Sequence, residues 1–155
     1  MTIKVLCIGS LKESYWKDAC KEYLMRIKPY ASIEVLEFPD YPTKDGFEEQ
    51  TKDKEAERVL KTIKPSDYVV ALDLNHQEYT STDFASKMEE WFVKGGSNII
   101  FLIGGSLGLS DGLKARANTS VTFGKMTFPH QLSRVMLLEQ IYRAFRILHH
   151  EPYHK

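Results

Sequence analysis

The sequence predicts a single α/β domain with a mostly parallel sheet and helices on both faces. Strand-type and helix-type patterns alternate five times along 155 residues, with no repeat and no linker between them. The stretch Asn98 to Ile103 is continuously apolar after its first residue, the signature of a strand buried on both faces. A chain of this length makes one domain and buries a proper core.

Ile3 to Gly9 reads as a buried strand closed by a glycine turn. From Lys12 to Ile27, apolar residues at Tyr15, Trp16, Ala19, Cys20, Tyr23, Leu24 and Ile27 draw one helical stripe. Ser32 to Phe38 alternates as a half-buried strand does, and the prolines and glycine of P-D-Y-P-T-K-D-G make a loop. A charged helix follows from Phe47 to Ile63, broken at Lys64-Pro65-Ser66. Asp67 to Asp73 is the third strand. Thr82 to Val93 is a helix with Phe84, Met88, Trp91 and Phe92 on one side. Beyond the fourth strand at Asn98 to Ile103, Ser110 is placed to cap a short helix. Ser120 to Phe123 makes a last short strand, and His130 to His149 the longest helix.

Hydrophobic residues at 43% and charged residues at 27% describe an ordinary globular protein. The formal net charge is zero, so attraction to nucleic acid or an anionic membrane is not a property of the whole molecule. A local patch has to supply it. Asp111 to Lys155 holds seven Lys/Arg against three Asp/Glu and four of the five histidines, whereas Asp40 to Arg58 holds seven acids against four bases. Cys7 and Cys20 are not at metal spacing and read as buried reduced thiols, so no metal is expected. Met1-Thr2-Ile3-Lys4 runs straight into a strand pattern, and no apolar stretch approaches the roughly 18 residues of a membrane span. A cytoplasmic protein without membrane contact is expected.

In parallel sheets, ligands bind beyond the carboxyl ends of the strands. Leu72-Asp73, Gly104 to Gly108 and Phe123 to Phe128 should meet there. The middle segment, G-G-S-L-G, matches the G-x-S-x-G pattern of a nucleophile elbow. An elbow, however, starts its helix at the serine, and here the best start is Ser110, four residues after Ser106. A serine hydrolase using Ser106, Asp111 or Glu139, and a later histidine is the enzyme alternative. A packing turn without chemistry is the other. With no G-x-G-x-x-G and no G-K-[ST], phosphate cradles are not indicated. A pocket of backbone groups suits a flat ligand such as an adenine ring, with glycine allowing close approach.

Pro129 keeps Phe128 extended and opens the last helix. That helix is apolar over most of its circumference, with Arg134, Glu139 and Arg143 as polar interruptions, and the excess predicts burial on a second side by a homodimer. F-L-I-G-G-S-L-G-L-S, M-T-F-P-H-Q-L-x-R, E-Q-I-Y-R-A and the terminal E-P-Y-H-K, in this order, resemble the RlmH family of SPOUT methyltransferases. The likeness spans essentially the whole chain. It implies a homodimer with a C-terminal trefoil knot that methylates N3 of a pseudouridine in large-subunit (23S) ribosomal RNA, with S-adenosylmethionine as donor.

The resemblance assigns cofactor contacts to Leu72, Gly104, Phe123, Gly124, Lys125, Met126, Thr127 and Phe128. Phe123-Gly124 departs from the family's aliphatic residue followed by serine. The resemblance also brings the C-terminal tail over the cofactor, where Tyr153 stacks on a ring and His154 orients or deprotonates the target. Arg143 and Lys155 are candidates to hold phosphate. His130 reads as a helix-start residue satisfied by local hydrogen bonds, and His76, His149 and His150 as exposed. The neutral total charge leaves few phosphate contacts to spare, so the expected substrate is RNA within the assembled ribosome. A non-catalytic ribosome- or RNA-binding module is the alternative from outside enzymology.

Overall fold

Among the described residues, 1–74 and 77–155 of a computed structural model, five strands form one sheet: β1 (Thr2–Ile8), β2 (Ser32–Phe38), β3 (Val69–Leu72), β4 (Asn98–Ile103) and β5 (Thr119–Val121). Their order is β2-β1-β4-β3-β5 and every pairing is parallel. Parallel neighbours need long crossovers. These are supplied by α1 (Ser14–Ile27), α2 (Glu48–Thr62), α3 (Ser81–Lys94) and α4 (Asp111–Arg116), before α5 (His130–Leu148) closes the chain. His76, expected to be exposed, lies outside the described residues.

The period of two along each strand divides the core. Ile3, Val5, Cys7, Val70, Ile99, Phe101 and Ile103 point to one face, where they meet α1, α3 and α5. Leu6, Ile8, Val69, Ala71, Ile100 and Leu102 point to the other, against Ala56 and Val59 of α2 and Leu113 of α4. Phe84, Met88, Trp91 and Phe92 of α3 are all buried, and Trp91 packs edge-on against Phe84 and Phe101. Ser110 accepts the Leu113 amide at 3.1 Å as the cap of α4.

Some boundaries move for local reasons. Strand β3 starts at Val69 rather than Asp67, because Asp67 closes a turn in which its carboxylate accepts the Lys64 amide at 2.7 Å. Strand β5 ends at Val121 rather than Phe123. There the Thr122 hydroxyl donates to the Gly124 carbonyl at 2.8 Å and accepts its amide at 3.3 Å, turning the chain out of the ladder.

The broad apolar surface of helix α5 is covered in part by its own chain, because α5 lies between α1 and α3 as well as over the sheet. Leu137, Leu138, Ile141, Ala144 and Phe145 are all buried within this one chain. So is Arg134, with 2% exposure. A buried guanidinium is costly unless paired. Its Nη1 donates to Glu37 Oε2 at 2.7 Å, and its Nη2 donates to the Gly9 carbonyl at 3.2 Å. The same Glu37 oxygen accepts the Leu11 amide at 3.0 Å. Burial pushes the Glu37 carboxyl upward, but these donors outweigh it and hold it below its ordinary range. One side chain of α5 thereby grips the ends of β1 and β2.

Replacing Arg134 separates volume from pairing. Arg134→Ala should cost about 3 kcal/mol in urea unfolding, through the cavity and the stranded Gly9 carbonyl. Arg134→Leu fills much of the space and should cost only about half as much, because Glu37 is partly exposed and can hydrate. Equal losses for the two would contradict this account.

Candidate functional site

The loops that follow β3, β4 and β5 enclose a cavity of about 710 Å³ at the carboxyl edge of the sheet. Of the residues expected to hold a cofactor, Leu72, Gly104, Phe123, Met126, Thr127 and Phe128 line it. Gly124 and Lys125 belong to the same loop but not to the lining. Among the described residues, Asp73 and His130 are the ionisable side chains in the wall; the rest is apolar, hydroxyl, amide or bare backbone. Such a pocket grips a ligand by shape and by its backbone groups. Among the described residues no group of three or more His, Cys, Asp and Glu is placed to hold a metal ion, and no helix is long and apolar enough to cross a membrane.

The glycine loop is not an elbow. The Gly108 amide donates to the Gly105 carbonyl at 3.0 Å, which makes residues 105–108 a tight turn with Ser106 exposed at its tip. Helix α4 begins only at Asp111, so no helix starts at Ser106 to support a nucleophile. Gly108 has φ +84°, which favours glycine. At Gly104 a Cβ would stand 2.6 Å from the Gly108 carbonyl carbon. The missing side chain there lets the loop fold upon itself, rather than only admitting a ligand.

His130 departs from expectation. It lines the cavity with its ring against Gly9, where a Cβ would sit 3.1 Å from Cε1. Its Nδ1 is buried without a hydrogen-bond partner, so local bonds do not satisfy it. Burial, reinforced by the charge of Arg134, lowers its pKa from the ordinary value of 6.5.

The C-terminal tail is neither loose nor over this cavity. Tyr153 and His154 are absent from the lining and lie against α5 instead. The Tyr153 hydroxyl donates to Glu139 Oε1 at 3.0 Å, and the Arg143 guanidinium donates to the same oxygen. Arg143 also lies over the Tyr153 ring, 4.7 Å from its centroid, and its Nη1 is 3.2 Å from His154 Nδ1. Arg143 is therefore engaged inside the chain, whereas Lys155 is exposed. His149 and His150 are exposed as expected. Burial pushes the Tyr153 hydroxyl up to about 12, helped by its bond to Glu139.

A second cavity of about 420 Å³ adjoins this cluster, with Glu139, Gln140, Val135 and Met136 of α5 on one side. Val121, Thr122 and Phe123 line both cavities. Ser81 donates to Gln140 at 2.8 Å, and Gln140 donates to Glu139 at 2.8 Å, so a continuous polar chain runs from α3 to the tail. Glu139 is its hub. Sequence reasoning noted it as an interruption of an apolar helix and as a possible acid of the hydrolase alternative, not as a hub; its spacing four residues before Arg143 was the available signal.

The His130 shift has a measurable sign. An unfolded imidazole titrates near 6.5, and the native one takes its proton at lower pH. The contribution to stability is complete above the unfolded value and is lost as pH falls through the native one. The urea midpoint of His130→Asn should depend less on pH than that of the parent between about pH 7 and 5. Identical slopes would contradict a buried, proton-resistant ring.

Comparison with known proteins agrees with this architecture. The family described as "Predicted SPOUT methyltransferase" matches residues 1–154. The chain is 49% identical over 159 aligned residues to the ribosomal RNA large subunit methyltransferase H of Clostridium acetobutylicum, covering all of both chains. It is 45% identical over 157 residues to the protein of the same name from Desulforamulus reducens, covering 99% of this chain and 98% of that one. In fold it is similar to a "probable methylase family protein" from Haemophilus influenzae Rd KW20, with TM-score 0.58 at 9% identity, over 99% of this chain and 70% of that one. It also resembles a Legionella pneumophila protein solved in complex with the bound cofactor SAM, with TM-score 0.51 at 10% identity, over 93% and 66%. A match running through all five strands and into the pinned tail, with relatives near half identical from end to end, means that this chain belongs to the SPOUT methyltransferase family.

Proposed function

We propose that this protein transfers a methyl group from S-adenosylmethionine to large-subunit (23S) ribosomal RNA, at N3 of a pseudouridine, within the assembled ribosome. The observation that carries the reading is the cavity at the three strand ends, walled by Leu72, Gly104, Phe123 and Met126 to Phe128. Its near-neutral wall and exposed backbone suit the adenosyl part of the donor, and Gly124 and Lys125 complete the loop that closes on it. The full-length relatives named as ribosomal RNA methyltransferases support the substrate class. A formal net charge of zero favours a preassembled particle over free RNA. That substrate would place the protein in the cytoplasm.

The bound donor supplies an electrophilic methyl group. The protein's own residues then align the acceptor and manage one proton. The acceptor ring enters the smaller cavity, which shares Phe123 with the donor site and borders the tail through Glu139. Tyr153, kept protonated by its raised pKa, stacks and donates rather than acting as a base. Arginine only donates, so the Arg143 contact makes His154 Nδ1 an acceptor and leaves the ring proton on Nε2. In this arrangement His154 donates to a carbonyl of the acceptor ring. Its Nδ1 can take the N3 proton only when Arg143 releases it. Holding the two reacting atoms in line is worth on the order of several kcal/mol.

A homodimer and a C-terminal trefoil knot belong to the same reading. Tyr15 and Met25 on α1 are exposed and available to a second copy. The end of β5 runs beside the loop after β3: the Asp73 amide donates to the Val121 carbonyl and the Thr122 amide to the Gln77 carbonyl. The knot that the family likeness implies would depart from the usual rule for connections.

Two measurements test the function. Calorimetric titration should show the donor binding to the parent and weakened at least about tenfold by Gly104→Ala, whose new Cβ meets Gly108. Removing Pro152 to Lys155 should leave donor binding and the fold intact, while methylation of ribosomes, read by mass mapping of their RNA, falls at least about 100-fold. A parent that binds no donor, or a truncated protein of full activity, would overturn the reading.

A further inference from the structure

The last five residues touch the rest of the chain at two separate places. One is the cluster of Glu139, Arg143, Tyr153 and His154. The other lies a turn further along α5, and the proposed chemistry makes no use of it. There Arg146 Nη1 donates to Glu151 Oε2 at 2.7 Å and to the Tyr30 hydroxyl at 3.0 Å, and Nη2 donates to the Pro152 carbonyl at 2.9 Å. The Tyr30 hydroxyl in turn donates to Glu151 Oε1 at 2.8 Å. Four hydrogen bonds thus close a loop among α5, the α1–β2 connection and the tail.

The clamp is supported on both sides. The Tyr30 ring stacks on buried Phe145, with centroids 5.3 Å apart and planes within 6°. The Glu151 amide bonds back to the Arg146 carbonyl at 2.9 Å, and His150 before it takes a left-handed backbone with φ +54°. The tail therefore leaves α5 by a sharp reversal whose far side is tied down within two residues. Arg146 also lies 6.0 Å from the centroid of Tyr142, whose ring meets Tyr153 edge-on at 4.8 Å. Clamp and reactive pair share one aromatic neighbour.

We propose that Tyr30, Arg146 and Glu151 are positioning residues for methyl transfer, a clamp that sets the height and direction from which Tyr153 and His154 meet the acceptor ring. None of the three lines either cavity, so their effect is transmitted through the tail alone. This rests on the reading that Tyr153 and His154 act on the acceptor. A terminus without such ties samples many conformations, and a small displacement of an aligning group lowers a transfer rate steeply.

The test uses the full-length protein with Tyr30→Phe, which keeps the ring on Phe145 but removes the bridging hydroxyl, together with Glu151→Gln, Arg146→Lys and Arg146→Ala. Each is assayed on ribosomes lacking the modification. We expect kcat to fall about tenfold for Tyr30→Phe and Glu151→Gln, with donor affinity by calorimetry unchanged. Arg146→Lys should retain more activity than Arg146→Ala. The heteronuclear NOE of Tyr153 to Lys155 should drop in step with kcat. A tail that stays ordered, a mobile tail with full kcat, or a parallel loss of donor affinity overturns the clamp. The protein lacking Pro152 to Lys155 tells the two ideas apart. If it is fully active, the tail's role and the clamp fall together; if it is inactive while Tyr30→Phe and Glu151→Gln behave as the parent, the clamp alone is refuted.

Discussion

The position of everything at the carboxyl edge depends on one buried cation. Arg134 reaches from the second turn of α5 to the Gly9 carbonyl and to Glu37, and so fixes where that helix begins relative to β1 and β2. The start of α5 in turn sets the end of the loop from Phe123 to Pro129, which forms one wall of the larger cavity. A leucine at 134 would fill much of the space and still leave the helix free to slide. Directional bonds hold a register that apolar contact alone does not. The cost is a guanidinium taken out of water, and the half-exposed Glu37 keeps that cost tolerable.

The second constraint is the parallel sheet. Because all five strands run the same way, the three loops that matter leave the same edge, and their tips meet without any long-range search. The tail enters from another direction, along α5, and is linked to the smaller cavity through Glu139, which lines it and accepts from Tyr153. Phe123 belongs to the wall of both cavities, together with Val121 and Thr122. The proposed two-substrate reaction uses this partition: it assigns the donor to the larger cavity and the acceptor to the smaller, with Phe123 in the wall of both.

The architecture was legible in the sequence because hydrophobic period and buried contact express the same geometry. The alternation in β1 and the stripe of α3 name their own core faces, and Ser110 announces the cap of α4. The strand-end residues were legible too, since parallel topology places them before any side chain is considered. What stayed hidden were long-range polar pairings. Nothing local to Arg134 says that it meets Glu37 and Gly9, nearly a hundred or more residues away. The apolar girth of α5 suggested a partner chain, and the sequence did not say that α1 and α3 of the same chain cover part of it. The anchorage of the tail was hidden in the same way: Glu151 meets Tyr30 across 121 residues. His130 misled in the opposite sense: a polar residue at a helix start reads as satisfied, and its Nδ1 is not.

The thiol of Cys7 carries a consequence of its own. It sits in the middle of the sheet with no exposure, and burial pushes its pKa up to about 12. Alkylating and oxidising reagents attack the thiolate, so the native molecule gives them almost nothing to attack. Cys20 is buried as well. Modification must then wait for β1 itself to come away from β2 and β4, and the rate at which a thiol reagent consumes Cys7 becomes a clock for the rarest opening of this protein.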